Sequence, residues 1–286
     1  MLDRSTLLDR SNVAVVIPAL NEALRIRDVV QGALAQCNQV ILIDDGSDDD
    51  TCARVADLPV TVLRHDRRMG KGASLRDGFR EALRRGASGV LTMDGDGQHS
   101  ADDIPRLLDA ANRHRRCVII GARLRKRAQQ PAYRRIANNF GDWGIAWGTG
   151  YRIVDSQSGQ RYYPAAVAAL STLGKTTLGK SRVPGEDFVF EAQILISAAQ
   201  QLGTRCVSVP IESRYKTVHS DEQFRASHFK PVRDFSRITG HIVWQCLRRG
   251  GMAAVYRSIR ANPPVIDDAT GEFGTVFEHD GVQQAG

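Results

Sequence analysis

The sequence predicts an α/β fold, a Rossmann-like, mostly parallel central sheet with helices on both faces. Three observations predict it. Short apolar runs alternate with stretches of helical periodicity from Val13 onward. Polar residues cluster directly after each run, where ligands of such sheets bind. The chain, 286 residues and 42% hydrophobic, is long enough for one large domain with a full core.

The elements follow in order. Val13-Ala14-Val15-Val16-Ile17 reads as a buried strand, and Ile26, Val29, Val30, Ala33 and Leu34 share one face of the helix after it. Val40 to Ile43 and Val60 to Leu63 are the next two strands, and Leu75, Phe79, Ala82 and Leu83 mark a second helix. Gly89 to Met93 is a fourth strand. Ser100 is a good N-cap for the helix carrying Ile104, Leu107, Leu108 and Ala111. Cys117 to Ile120 is a fifth strand. Asp187 and Glu191 open a later helix whose apolar face holds Phe190, Ile194, Leu195 and Ala198; acids are favoured there by the helix dipole alone.

Charge and composition narrow the function classes. The net charge is +7, with arginines gathered between Arg113 and Arg135 and between Arg205 and Arg260. Phosphorylated substrates and anionic membrane surfaces fit this balance. Nucleic acid fits poorly, because aromatics are only 6% and no recognition motif accompanies the charge. The five cysteines are scattered, so neither a zinc site nor a disulfide framework is read from them, and a reducing compartment is expected. Asp3, Arg4 and Asp9 interrupt any signal-peptide core, and no apolar stretch reaches about 18 residues. A cytoplasmic protein, at most peripheral on the inner membrane face, is the expectation.

The chemistry lies at the strand ends. Asp94-Gly95-Asp96-Gly97-Gln98-His99 follows the fourth strand, and two carboxylates one residue apart at a buried edge are costly if unpaired. A hard cation, Mg²⁺ or Mn²⁺, satisfies them and leaves sites open for substrate phosphates. The alternative, a polar turn capping the next helix, accounts for Ser100 but not for the acids. Asp45, in Asp44-Asp45-Gly46-Ser47, is placed to accept a base N–H, and Glu22 or Asp94 to accept ribose hydroxyls. Gly70-Lys71-Gly72, opening a helix, offers backbone N–H groups to an anion. No P-loop and no Gly-x-Gly-x-x-Gly follows a strand, which excludes a P-loop nucleoside triphosphatase and a dinucleotide enzyme.

Taken in order, Val15-Val16-Ile17-Pro18-Ala19-Leu20-Asn21-Glu22, Asp44-Asp45-Gly46-Ser47, Gly70-Lys71-Gly72 and Asp94-Gly95-Asp96-Gly97-Gln98-His99 closely resemble the family 2 glycosyltransferases of the GT-A fold. Within them the chain is most similar to the dolichyl-phosphate mannose synthase and polyprenyl-phosphate glycosyltransferase group. Val154-Asp155-Ser156-Gln157-Ser158-Gly159-Gln160-Arg161 resembles that group's Asp-x-x-Ser-Gly-Phe-Arg element, with Gln160 in place of Phe. The resemblance covers roughly residues 12 to 240. It implies that Pro18, Leu20, Glu22, Asp45, Asp94, Gly95, Asp96, Gln98 and Arg123 line a nucleotide-sugar site, with Asp96 and Gln98 nearest the cation. Many bacterial members carry C-terminal membrane spans, which this sequence lacks.

On that reading Arg123 shares the charge of the leaving diphosphate, with Arg214 and Lys216 as further candidates. A lipid-phosphate acceptor would meet Arg134, Arg135 and Arg161. An alcohol acceptor would need a base, for which Asp155 is the first candidate, against its alternative as a turn cap. The expected organisation is an extension over 1–11, the transferase domain over 12–230, a basic amphipathic helical segment over 231–262 and a tail without fixed structure over 263–286. Within these, Trp143 and Trp147 interleave with arginines beside the acceptor element, and Ser213 to Lys230 reads as a polar loop. The function expected is inverting transfer of a sugar to a polyprenyl phosphate. The alternatives are a hydroxyl acceptor on a glycolipid or polysaccharide, and a silent nucleotide-binding regulator with no need of the acid pair.

Overall fold

In the computed structural model, which describes residues 12–124, 132–172, 187–211, 251–269 and 283–284, the first apolar run becomes strand β1, Val13–Ala19. It is followed by β2 (Gln39–Asp44), β3 (Thr61–Arg64), β4 (Gly89–Thr92), β5 (Val118–Ala122), β6 (Arg161–Pro164), β7 (Cys206–Pro210), β8 (Val265–Ile266) and β9 (Gln283–Gln284). They form one sheet in the order β3-β2-β1-β4-β6-β5-β7-β8-β9. Every pairing is parallel except those of β6, which runs antiparallel to both β4 and β5.

The helices α1 (Ile26–Leu34), α2 (Lys71–Arg84), α3 (Ile104–Arg113), α4 (Ala132–Thr149), α5 (Ala165–Thr172), α6 (Asp187–Leu202) and α7 (Met252–Ala261) complete the described elements. Successive side chains of a strand point to opposite faces, so β1 feeds two cores. Val13, Val15 and Ile17 pack with α1 and α3 on one face. Ala14 and Val16 pack with Leu75 and Phe79 of α2 and with α5 and α6 on the other. Each fully buried Val, Leu or Ile contributes about 1.5–3 kcal/mol, and most residues of β1, β2 and β5 are of that kind. Gly78 brings α2 onto the sheet, because a Cβ there would collide with the Val16 side chain. The result is that β1, β2 and β4 end together on one edge.

Two elements depart from the sequence reading. Strand β6 carries Arg161 at its start, and a charged residue breaks the apolar run by which strands are recognised. The tail, expected to lack structure from residue 263, instead opens with β8, parallel to β7. Asp267, only 4% exposed, anchors it. Its carboxylate accepts from Arg113 Nε and Nη2 at 2.9 and 3.0 Å and lies 3.1 Å from His114 Nε2. A two-residue strand has no periodicity to read, and the side-chain partners of Asp267 lie some 150 residues earlier in the chain. Among the described residues no helix is long and apolar enough to cross a membrane.

Candidate active site

The site begins where β1 and β2 end. Asn21 turns the chain in the left-handed region (φ 57°), which its short polar side chain tolerates. Asn21 N donates to Ser47 Oγ at 2.9 Å, Glu22 N to Thr51 Oγ1 at 2.9 Å, and Asp48 N to Asn21 Oδ1 at 2.9 Å. These bonds lock the two loops into a crevice lined by Asn21, Glu22, Arg25, Asp48 and Asp49. Pro18 and Leu20, both half-buried, lie where β1 runs into this loop. Glu22 lies on the rim, 3.7 Å from Arg25.

Asp45 is used differently from the expectation. Its Oδ1 accepts from Met69 N at 2.8 Å, Oδ2 accepts from Gly70 N at 2.8 Å, and His65 Nδ1 lies 2.8 Å from Oδ1. The carboxylate therefore clamps the segment leading into α2, and the Gly70 N–H expected to face an anion is spent on it. What α2 presents to the turn after β4 is instead the ammonium of Lys71, its first residue.

Lys71 Nζ lies 2.7 Å from Asp94 Oδ1 and 3.7 Å from Glu191. His99 Nε2 is 3.6 Å from Asp94 Oδ2, and the His99 ring is buried with Nδ1 unpartnered. Burial disfavours the Asp94 anion, but Lys71 and His99 outweigh it and hold the carboxyl well below the usual range. Burial likewise opposes charge on Lys71, and Asp94 with Glu191 holds it above the ordinary lysine value. Asp96 is the opposite case: burial and the neighbouring Asp94 charge push its carboxyl up. Its Oδ1 accepts from Gln98 N at 2.9 Å, and no Lys or Arg among the described residues forms an ion pair with it. Gln98 itself is exposed beside it. Gly95 N meets Pro18 O at 3.3 Å, so the acid turn sits directly against the end of β1.

The acid pair is an all-oxygen donor set, and among the described residues its second carboxylate forms no ion pair. That fits a hard divalent cation completed by water and substrate oxygens. No group of three His, Cys, Asp or Glu is preassembled among the described residues.

Residues 154–161, the segment that the sequence reading places on the acceptor side, close over this turn. Gly159 packs on Asp94 so closely that a Cβ would collide with the carboxylate. Gln160, fully buried, donates through Nε2 to Ser100 O at 2.9 Å and so ties the element to the acid turn. Asp155, in the left-handed region at φ 52°, receives Arg123 N, Nε and Nη2 at 2.8, 2.8 and 2.7 Å. Asp142 of α4 accepts from Ser156 N at 2.8 Å and Ser156 Oγ at 2.6 Å and fixes the same turn from behind. Sequence reasoning singled out Arg123 and Asp155, which the structure pairs with each other, but gave no role to Asp142, the Lys71 side chain or His99.

Arg161 requires a correction. It is 1% exposed, not part of an open acceptor surface. Nε donates to Ser158 O at 2.6 Å, Nη2 to Ser156 O at 2.6 Å and Nη1 to Tyr163 Oη at 3.2 Å. Glu191 lies 3.8 Å away and joins Arg161 to Lys71. Arg161 thus holds the element from beneath. Arg214, Lys216, the 213–230 loop and the helix expected from Pro231 to Arg249 lie outside the described residues, as do the side chains of Arg134, Arg135 and Asp187.

Comparison with known proteins follows this geometry. A family model described as "Glycosyl transferase family 2" matches residues 14–167. The UDP-N-acetylglucosamine–dolichyl-phosphate N-acetylglucosaminyltransferase of Methanococcus voltae is 27% identical over 190 residues, 59% of this chain and 74% of its own. The undecaprenyl-phosphate mannosyltransferase of Micrococcus luteus is 28% identical over 267 residues, 87% of this chain and 98% of its own. The polyprenol monophosphomannose synthase of Mycolicibacterium smegmatis is 35% identical over 118 residues, 38% and 44%. Among solved structures, glucosyl-3-phosphoglycerate synthase from Mycobacterium tuberculosis superimposes with a TM-score of 0.53 at 18% identity, covering 85% of this chain and 81% of that one. The last likeness is one of fold.

Proposed function

Because the chain belongs to glycosyl transferase family 2, we propose that it transfers one sugar from a nucleotide-sugar to a polyprenyl phosphate, with inversion at the anomeric carbon, at the cytoplasmic face of a membrane. The relatives named for dolichyl-, undecaprenyl- and polyprenyl-linked transfer support the acceptor class. One observation carries the reaction. At the carboxyl end of β4, Asp94 holds an ammonium and Asp96 has no cationic partner among the described residues.

Mg²⁺ or Mn²⁺, held by Asp96 with Gln98 beside it, would neutralise charge on the departing diphosphate. Lys71 supplies a fixed positive charge beside it, half-buried and held in place by Asp94 and Glu191. The β1–β2 crevice receives the nucleoside, with Glu22 on its rim. Arg123, which follows β5 and is held by Asp155, would share the phosphate charge; Arg214 and Lys216 remain candidates for the donor, and Arg134 and Arg135 for the acceptor.

A phosphate acceptor has a second pKa of about 6 and is already nucleophilic at neutral pH, so no base is required. The hydroxyl-acceptor alternative needs Asp155 as that base, and its oxygens already accept three hydrogen bonds from Arg123. Offering polyprenyl phosphate and the matching polyprenol with labelled nucleotide-sugars separates the two. Label should enter only the phosphate. Label in the alcohol would overturn the proposal.

A further inference from the structure

Helix α7 lies outside the machinery described so far, yet it is tied to it. Val255 is buried against Trp147 of α4, with Ile259 packed beside them. Ser258 Oγ donates to Gly150 O at 2.9 Å, and Arg152 N to Asn262 O at 3.4 Å. The contacts advance together along both segments, so α4 and α7 run side by side in the same direction. That register sets Trp143 level with the start of α7, and Trp143 lies edge-on to Trp147 at 5.6 Å. The residue preceding Trp143 is Asp142, whose carboxylate holds Ser156 in the acceptor-side element.

The outward arc of α7 is not a simple solvated face. With Val255, Ser258 and Ile259 turned to α4, helical spacing places Arg257 and Arg260 on the opposite side and Tyr256 beside them, while Met252, one turn before Val255 on the α4 side, reaches solvent at the helix start. Met252 is 48% exposed, Tyr256 51% and Trp143 52%, and both arginines are exposed. Large apolar and aromatic groups interleaved with arginines match an anionic lipid interface, where the rings enter the headgroup region and the guanidiniums meet phosphates. A protein partner would also take apolar groups, but the basic interleaving and the position next to the acceptor element favour lipid.

We infer that the exposed arc of α7, together with Trp143, is the surface through which the protein rests on an anionic bilayer, and that it presents the acceptor-side element to lipid-borne phosphate. The inference rests on the proposed lipid acceptor for its role, but not for its test.

Two double variants of the full chain, Met252→Ser with Tyr256→Ser and Arg257→Gln with Arg260→Gln, are compared by co-sedimentation with phosphatidylcholine vesicles with and without phosphatidylglycerol. The parent should bind the anionic vesicles and be released by salt. The arginine variant should partition at least about tenfold more weakly, since each arginine near such a surface contributes about 1 kcal/mol. The Met/Tyr variant should also bind more weakly, to both vesicle types. Unchanged melting temperatures and unchanged transfer to a short, water-soluble prenyl phosphate would show that the fold and the chemistry survive. Parental binding by both variants, or no vesicle binding by the parent, overturns the inference. A parent that binds vesicles through α7 but glycosylates no prenyl phosphate would overturn the proposed function and leave this surface standing.

Discussion

Gly159 leaves the space that the Asp94 carboxylate fills, and any Cβ at that position would collide with it. The contact joins the two halves of the site, because Asp94 belongs to the turn after β4 and Gly159 to the element before β6. It also explains why a glycine follows Ser158 where no positive φ demands one.

Gly159→Ala should therefore separate activity from stability. The added methyl displaces the short side chain of Asp94, not packed backbone, so unfolding free energy should fall by only about 1–3 kcal/mol, through the strained Asp94–Lys71 pair. The Asp94–Lys71 pair would be pushed out of register, and misplacement of this kind costs on the order of 10²-fold in kcat. Denaturant unfolding and steady-state kinetics on one preparation check this. A large stability loss with normal kcat would refute it.

Lys71→Met should change the pH dependence of stability. Asp94 is depressed in the folded parent, so its contribution is present above the unfolded carboxylate value of 3.8 and fades as pH falls toward the folded one. Lys71 is raised, so its contribution is present below 10.5 and fades only at higher pH. Both are fully present at pH 7. Without Lys71 the Asp94 anion loses its largest favourable charge. The gap in melting temperature between parent and variant should be widest near neutral pH and narrow as pH falls below about 4. A gap independent of pH would mean the pair is electrostatically idle.

Asp96→Asn should abolish turnover by about 10²-fold or more while preserving the fold, since asparagine Oδ1 can still accept from Gln98 N. Because Asp94 and burial raise the Asp96 carboxyl, cation binding in the parent should weaken in mildly acidic buffer, where a free carboxylate would still bind. Calorimetric titration with Mn²⁺ across pH, in parent and variant, reads both effects. Equal Mn²⁺ affinity in the two proteins would remove Asp96 from the cation site.

Arg161→Met should behave as a structural lesion. It strands the carbonyls of Ser156 and Ser158 and leaves Glu191 with Lys71 alone, at a cost of about 3 kcal/mol or more. Chemical denaturation measures it. A stable variant with only a raised acceptor KM would return Arg161 to the acceptor surface.

Much of this architecture was legible in the sequence because it depends on local pattern. Strands β1 to β5 are apolar runs, and the residues beyond them are the polar clusters that the strand-end rule singles out. What escaped depends on tertiary placement. Gly70-Lys71-Gly72 reads as a turn with free N–H groups until the fold brings Asp45 to Gly70 and Asp94 to Lys71. Arg161 reads as a surface cation until β6 inserts antiparallel between β4 and β5 and buries it. Asp142 lies inside a helix that carries no motif. Gln160 shows the reverse, a departure from the family's Phe whose use appears only in its bond to Ser100 O.

The most direct test of the central claim follows the label into product. Full-length protein, a divalent cation and radiolabelled GDP-, UDP- or dTDP-sugars are incubated with polyprenyl phosphate, and the organic phase is treated with mild acid. The account predicts that one donor yields a labelled lipid whose sugar is released by mild acid, as a glycosyl phosphate should be, and that Asp96→Asn yields none. Label found only in acid-stable product, or equal labelling by Asp96→Asn, would contradict it.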